Sequence, residues 1–368
     1  MLNHKNKIPL GHKNKIPLGP NSVIGIFGGG QLGRMICFEA HKLGYKTLVF
    51  SDSSNSPASF VTNKTIVADY SDQIALQEFA NQIDVATFEF ENIPVSAIDF
   101  VSMQKTVYPK SDILKTTQNR LKEKDFLNKI GAKTASYYAI NSLEDLQNNF
   151  DKRNSRAVLK TTTMGYDGKG QNVLDAKSDL VKIWEEFQGK ELILEEFIDF
   201  ACEISIVVAR GIDGEISCYQ PLQNMHQDGI LRKSVYPAEI DHKTAQNAVE
   251  IASLIVRRLD LIGVLAIEFF VLKDGSLLVN ELAPRPHNSG HFSMNASYTC
   301  QFEQLIRAVS GLPLGNAEFH STGFMKNLIG DDVLNIEEYL GNKNAKLHLY
   351  GKDKVVKGRK MGHINFLN

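Results

Sequence analysis

Two hydrophobic periods alternate along this chain, and where they change over divides it into three parts. Between 22 and 110, short apolar runs at 23–27, 46–50, 65–68, 85–90 and 107–108 read as strands. Helical spacing lies between them, through Met35, Ile36, Phe38 and Leu43 (with Gly44 as C-cap), over 72–81 and over 95–103. Strands alternating with helices predict a parallel α/β sheet. From 111 to 313 the pattern is mixed, α+β in character. It opens with a long helix over 115–130 closed by Gly131, and Ser142 with Asp145 forms a capping box. Strands follow at 157–160, 171–174 and 191–198, then a hairpin pairing 202–209 with 214–219. An amphipathic helix over 244–259 and another over 301–309, stopped at Gly311, complete this part. From 314 onward the chain turns to short strands, including 324–328 and 347–350, which predicts a small β-rich unit.

The most informative stretch is LAIEFFVLKDGSLLVNELAPRPHNSGH at 265–291. Asp274-Gly275 between apolar runs is a strong signal for a two-residue hairpin turn. Counting outward, Val271 faces Leu278, Phe269 faces Asn280 and Glu268 faces Glu281. Cβ atoms of facing residues lie roughly 4.5–5.5 Å apart, where like charges repel. Two acids so placed among Ala266, Ile267, Phe269 and Leu282 require a cation between them or a proton on one. Paired oxygen ligands suit Mg²⁺, which completes its octahedron with water and substrate phosphates. The loop that follows, 283–291, concentrates Arg285, His287, Asn288, Ser289 and His291 in a proline-stiffened segment, a set of donors suited to an anion.

Composition narrows the class. With 368 residues and 43% hydrophobic content the chain can bury a large core over two or three domains. Its 41 basic and 42 acidic residues, net charge −1, give no electrostatic case for nucleic acid or a membrane surface. Four scattered cysteines without a CxxC pair read as reduced thiols, not a disulfide frame or zinc site. No apolar run approaches the ~20 residues of a membrane helix. Residues 4–19 read HKNKIPLG twice and lack the apolar core of a signal peptide, so 1–21 is expected to be a flexible tail and the protein cytoplasmic.

Several further motifs carry chemistry. Gly28-Gly29-Gly30-Gln31-Leu32-Gly33 fits GxGxxG with Asp52 about 20 residues on, which admits an NAD-dependent oxidoreductase, although such a turn binds other polar ligands as well. Glu89 and Glu91 share a face at the end of a predicted parallel strand, where such sheets bind ligands. Lys160 ends a strand and is followed by a glycine-rich flap: Gly165, Tyr166, Asp167, Gly168, Lys169, Gly170 and Gln171. The flap's N–H groups can fold over phosphates, yet it lacks the GK[ST] ending of a Walker A loop. A strand running into Glu195, Glu196, Phe197 and Ile198, with Glu203 beyond, suits a hinge in which backbone meets an adenine and an acid meets a ribose. Arg120 among helix lysines, the loop residue His226 and the basic group at 352–363 read first as solvated charge, with ligand contact as the alternative.

Flap, strand-end lysine, acidic hinge and acid hairpin, in that order, resemble the ATP-grasp ligases. GGGQLGRM at 28–35, FEFENI at 88–93, MGYDGKGQ at 164–171, NMHQDGILRKS at 224–234, NELAPRPHNSGH at 280–291 and GRKMGHIN at 358–365 are similar to the 5-(carboxyamino)imidazole ribonucleotide synthases of that superfamily. The resemblance implies an ATP-grasp fold at 111–313 with its lid at about 157–197, a Rossmann-like pre-ATP-grasp domain at 22–110 and a small C-terminal domain at 314–368. It implies purine biosynthesis: ATP phosphorylates bicarbonate to carboxyphosphate, and the released CO₂ is taken up by the amine of aminoimidazole ribonucleotide. Arg120, Lys160, flap residues 165–171, Glu195–Ile198, Glu203 and His226 would hold ATP, with Asn280 close to it; Glu268 and Glu281 would hold Mg²⁺. Gln31, Glu89, Lys352 and Arg359 would face the ribonucleotide, and Arg285, His287 and Asn288 the bicarbonate. A homodimer is expected. Three points stand apart. Met164 replaces an expected glycine, Asn280 needs a bulge or a backbone role to reach the face of Glu281, and relatives continue with a terminal helix. Alternatives are a formate-dependent glycinamide ribonucleotide ligase, disfavoured by Asn288 where that family tends to carry an acid, the oxidoreductase, and a non-catalytic nucleotide-binding module.

Overall fold

The computed structural model describes residues 17–151, 156–165, 170–187 and 189–368. Its first sheet is parallel, in the order Lys64–Val67, Lys46–Ser51, Val23–Phe27, Val85–Phe88, Thr106–Val107. The order reverses between Val23–Phe27 and Val85–Phe88, and ligands of such sheets sit at the carboxyl ends of that pair. Here those ends are the 28–30 glycines and Glu89. Residues 17–21, expected as tail, are fixed: Leu18 is buried, its N–H donates to the Ser310 carbonyl at 2.9 Å, and Tyr45 donates to its carbonyl at 3.1 Å.

The expected helix over 115–130 is two helices, Ser111–Thr117 and Arg120–Lys129. Asn119 makes the break, because its side chain accepts from the N–H groups of Leu121 and Lys122 and so caps a new helix. Beyond lies a four-stranded antiparallel sheet ordered Tyr137–Ile140, Leu192–Glu196, Ala157–Thr161, Gln171–Leu174, with its own small core around Leu146, Leu159 and Leu194.

A nine-stranded antiparallel sheet forms the centre. Leu277–Ala283 is one edge; Gly263–Val271, Cys202–Arg210, Leu222–Gln227 and Ile230–Tyr236 follow in order. The C-terminal strands Gly323–Ile329, Lys360–Leu367 and Ala345–Leu349 then extend the same sheet through pairs such as Lys233 with Lys326. Helix Gln301–Ser310 ties the first domain to this sheet. Phe302 and Leu305 share one core with Met35 and Ile36 on one side and Val207 and Val264 on the other. Each such buried side chain contributes roughly 2 kcal/mol.

The central hairpin reaches its expected pairing by a different route. Leu272 donates to the Ser276 carbonyl at 2.8 Å, so the turn holds three residues, with Gly275 left-handed at φ +81. That moves the register by one: Val271 faces Leu277 and Phe269 faces Val279. A bulge at Asn280 moves it back, and Glu268 faces Glu281. Asn280 thus takes the bulge its proposed contact required.

A Cβ on Gly275 would stand 3.1 Å from the Thr244 hydroxyl in a backbone region unfavourable to L-residues. Gly275→Ala is expected to destabilise the protein by about 1–2 kcal/mol, read as a lower urea midpoint. An unchanged midpoint would show that the chain can re-form the two-residue turn.

Candidate active site

A cavity of about 610 Å³ is walled by all three sheets, a size usual for small-molecule sites. Gln31 and Glu89 come from the first domain, Lys160 and Gln171 from the four-stranded sheet, Glu268 and Glu281 from the central hairpin, and Lys360 from the last strand. Across the hairpin floor, burial and then the charge of Glu281 raise the pKa of Glu268 well above the ordinary carboxylate range. Arg120 Nη1 lies 3.3 Å from Glu281 Oε2, and His287 Nε2 lies 3.8 Å from Glu268 Oε1. One guanidinium at such a distance leaves the pair able to accept a divalent cation. Among the described residues no group of three or more His, Cys, Asp or Glu is arranged to hold a metal. Two carboxylates completed by water and phosphate oxygens fit Mg²⁺ better than a site built wholly of protein.

Beside the hairpin, Lys160 Nζ lies 2.9 Å from Glu195 Oε2. Lys124, 1% exposed, reaches the same oxygen at 3.5 Å. Burial alone would raise the Glu195 pKa, but the two lysines outweigh it and hold the acid at about 2. The Glu195 side chain therefore serves lysines on the sheet face, which leaves the adenine contact expected of the hinge to backbone groups. Of the other hinge residues, Phe197 lines the cavity, Glu196 accepts from Ser136 at 2.8 Å, and Ile198 is half-buried off the lining. Glu203 accepts from His226 Nδ1 at 2.7 Å, and this carboxylate outweighs burial to raise the His226 pKa. Gly165 borders a smaller side cavity, and Gly170 is left-handed at φ +71. Tyr166, Asp167, Gly168 and Lys169 lie outside the described residues. Met164 takes φ +61, the conformation for which a glycine was expected.

In the 283–291 loop, Arg285 makes a short ion pair with Glu91. The N–H of Ser289 donates to His287 Nδ1 at 3.3 Å, so the proton of the neutral ring sits on Nε2, the atom facing Glu268. Burial and the Arg285 charge keep that ring neutral by holding its pKa well below the usual histidine value. Asn288 lines the cavity while buried, and neither its amide oxygen nor its nitrogen has a hydrogen-bond partner. A buried amide left unsatisfied on both atoms marks a place for a polar ligand.

The glycine turn is closed to a phosphate. The Glu89 carboxylate accepts from the N–H of Gly30 at 2.5 Å and of Gly33 at 3.0 Å, taking the donors a dinucleotide would need. Asp52 is exposed, and the oxidoreductase reading loses its site. Glu89 is a cap on helix Gln31–Lys42, and only its cavity-facing edge remains for a substrate. Lys352 donates to Gln31 Oε1 at 2.6 Å, whereas Arg359 is exposed and absent from the cavity wall. Lys360, its neighbour, is the basic residue on the wall.

Sequence reasoning missed the face of helix Arg120–Lys129. Lys124 was read only as one of the solvated helix lysines and Glu123 drew no reading, but both are buried (Glu123 2% exposed), Lys124 beside Glu195 and Glu123 on the side cavity. It also missed Phe200 and Phe270, stacked at 4.8 Å on the cavity wall. The alternation of the strand, which buries Phe269 on the opposite face, was the available signal for Phe270.

The chain matches the ribonucleotide synthetase preATP-grasp domain over residues 22–118, the ATP-grasp domain over 125–302 and the phosphoribosylaminoimidazole carboxylase C-terminal domain over 323–368. It is 45% identical over 347 residues to an N5-carboxyaminoimidazole ribonucleotide synthase of Brucella melitensis biotype 1, covering 94% of this chain and 96% of the relative. It superposes on an ADP complex of an N5-carboxyaminoimidazole ribonucleotide synthetase with TM-score 0.92 at 40% identity, covering 95% and 93% of the two chains. An Aspergillus clavatus N5-carboxyaminoimidazole synthase in complex with ADP and 5-aminoimidazole ribonucleotide gives TM-score 0.88 at 28% identity, covering 95% and 94%. No helix among the described residues is long and apolar enough to cross a membrane.

Behind Asn288 the loop rests on a stack of rings. His363 lies 4.5 Å from both His291 and His348, and Tyr350 bonds His363 Nδ1 at 2.8 Å. Burial lowers all three histidine pKa values, that of His348 to about 4. Unfolded histidines take up protons near pH 6.5, so below that the unfolded chain binds more protons than the folded one. Stability is therefore complete above about pH 6.5 and is lost as pH falls toward 4. The melting temperature should drop between pH 7 and 5. His348→Gln, which can keep the bond to Asn295 without titrating, should flatten that drop; parallel profiles would remove the stack from the acid response.

Proposed function

The chain belongs to the N5-carboxyaminoimidazole ribonucleotide synthase family, and from that premise we propose how this site carries out ATP-dependent carboxylation of 5-aminoimidazole ribonucleotide. The enzyme is an ATP-grasp carbon–nitrogen ligase of purine biosynthesis. The γ-phosphoryl of ATP passes to a bicarbonate oxygen, giving ADP and carboxyphosphate. Carboxyphosphate breaks to CO₂ and phosphate. The exocyclic amine of the ribonucleotide attacks CO₂ and loses a proton, giving the carboxyamino product.

The observation that carries this reading is the pair Glu268 and Glu281, opposed on the floor of a nucleotide-sized cavity. Together they would hold Mg²⁺, which would supply the positive charge that neutralises the transferring phosphates. Lys160 turns from Glu195 to the triphosphate, while Lys124 stays to neutralise that acid. Arg120, 3.3 Å from Glu281 and on the cavity wall, would meet phosphate once Glu281 turned to the metal. Phe197, Phe200 and Phe270 give the base an apolar berth, and Glu203 with His226 meets the sugar. Flap residues 165–171 close over the phosphates and keep water from the carboxyphosphate. Arg285, held in place by Glu91, the Nε2–H of His287 and the free amide of Asn288 receive bicarbonate and orient its oxygens. Gln31, bonded to Lys352, and Lys360 take the ribonucleotide phosphate, with Glu89 near its base; Arg359, exposed and off the cavity wall, would have to swing in to join them. Within this reading the domains divide at about 110 and 313, with 157–197 as the lid, and the protein works as a cytoplasmic homodimer.

Glu281→Ala is expected to lower ADP release in the presence of aminoimidazole ribonucleotide and bicarbonate by roughly a hundredfold or more. Near-normal turnover would remove the metal role. Nucleotide binding without turnover in the wild type would leave only a binding module.

A further inference from the structure

We infer that Glu123 is a positioning residue for the metal-binding strand, holding the backbone beside Glu281 through the Leu282 N–H. This rests on the reading of Glu281 as a magnesium ligand. Helix Arg120–Lys129 turns Arg120, Glu123 and Lys124 toward the site, at i, i+3 and i+4. Glu123 is 2% exposed, and an acid is not placed at a core position of a helix for packing, because its burial is costly without partners. Its partner is specific: Oε2 accepts from the backbone N–H of Leu282 at 3.1 Å.

That amide occupies a sensitive place. Leu277–Ala283 is the edge of the central sheet, so its outward N–H groups have no neighbouring strand in the sheet to pair with. Before the bulge, Val279 donates to the Lys133 carbonyl at 2.8 Å; after it, Leu282 donates to Glu123. The irregular residues Asn280 and Glu281 are therefore suspended between two fixed amides. Remove the second and the bulge can migrate, and a slip of one residue turns Glu281 to the other face. The same helix supplies Arg120 to Glu281 itself, so one rigid element sets both the strand and its side chain.

The test uses the full-length protein, measuring half-saturating Mg²⁺ for ADP release at saturating substrates, kcat and melting temperature. Glu123→Gln keeps an acceptor for the amide and should stay within about twofold of wild type in half-saturating Mg²⁺. Glu123→Ala should raise that concentration on the order of tenfold, as loss of an outer partner of a metal ligand does. If the alanine variant does not fold, Glu123→Asp, one methylene short, takes its place and should raise it severalfold. An unchanged Mg²⁺ requirement with only a lower melting temperature would overturn the inference, as would Gln and Ala variants impaired alike. Glu281→Ala separates the two levels. If it retains the wild-type Mg²⁺ requirement, the metal reading itself fails; if its requirement rises or is lost while that of Glu123→Ala stays at the wild-type value, only the positioning role fails.

Discussion

The mutual repulsion of two facing carboxylates is the constraint on which the rest of this site depends. Neither Glu268 nor Glu281 has a full counter-charge in the protein: Arg120 gives Glu281 one contact at 3.3 Å, and His287, held neutral by burial, gives Glu268 one at 3.8 Å. Three other cations of the site are bound to other acids. Lys160 and Lys124 share Glu195, and Arg285 is locked to Glu91. A fold that withholds its own cations from an acid pair while placing them within reach of the same cavity is built to receive a cation and an anion together. Magnesium triphosphate is both.

That arrangement also explains why so many site residues are paired with one another. Uncompensated charge in a buried site is expensive, so each group waits on a partner it can give up. Glu195 shows the principle best, since it has two lysine partners and, on the proposed function, would keep Lys124 when Lys160 turned to phosphate. Glu89 shows the opposite design. Its carboxylate is spent on the Gly30 and Gly33 amides, and it converts a potential phosphate turn into a fixed wall. The same sequence pattern that serves a dinucleotide elsewhere is here filled from within the chain.

Local pattern and turn chemistry made much of this legible in the sequence. The parallel sheet and the facing acids both follow from periods and punctuation. The acids were placed correctly because two deviations cancel: Gly275 adds a residue to the turn and Asn280 adds one to the strand. Contacts between distant segments were not legible. RLKEKD at 120–125 reads as a solvated helix face, and only the packing of Leu277–Ala283 against it reveals that Glu123 and Lys124 point inward. Glu89 lies 59 residues from Gly30, and no local rule pairs them. Arg359 and Lys360 are indistinguishable in a basic run; the start of strand Lys360–Leu367 decides which one faces the cavity.

The last strands bear on mechanism as well as fold. Because Gly323–Ile329 and Lys360–Leu367 continue the sheet that carries Glu268, Lys360 is fixed relative to the acid pair by a ladder of backbone hydrogen bonds, not by a domain contact that could open. His363, three residues on, stacks against His291 of the loop that carries Asn288. Lys360, Asn288 and the acid pair are thereby held by one framework, while Lys160 and Gln171 sit on a separate four-stranded sheet with its own core. The division follows the chemistry. On the proposed function, groups that must keep their mutual distances through phosphoryl transfer and carboxylation share one sheet, and Lys160, proposed to meet the nucleotide, is carried by the other.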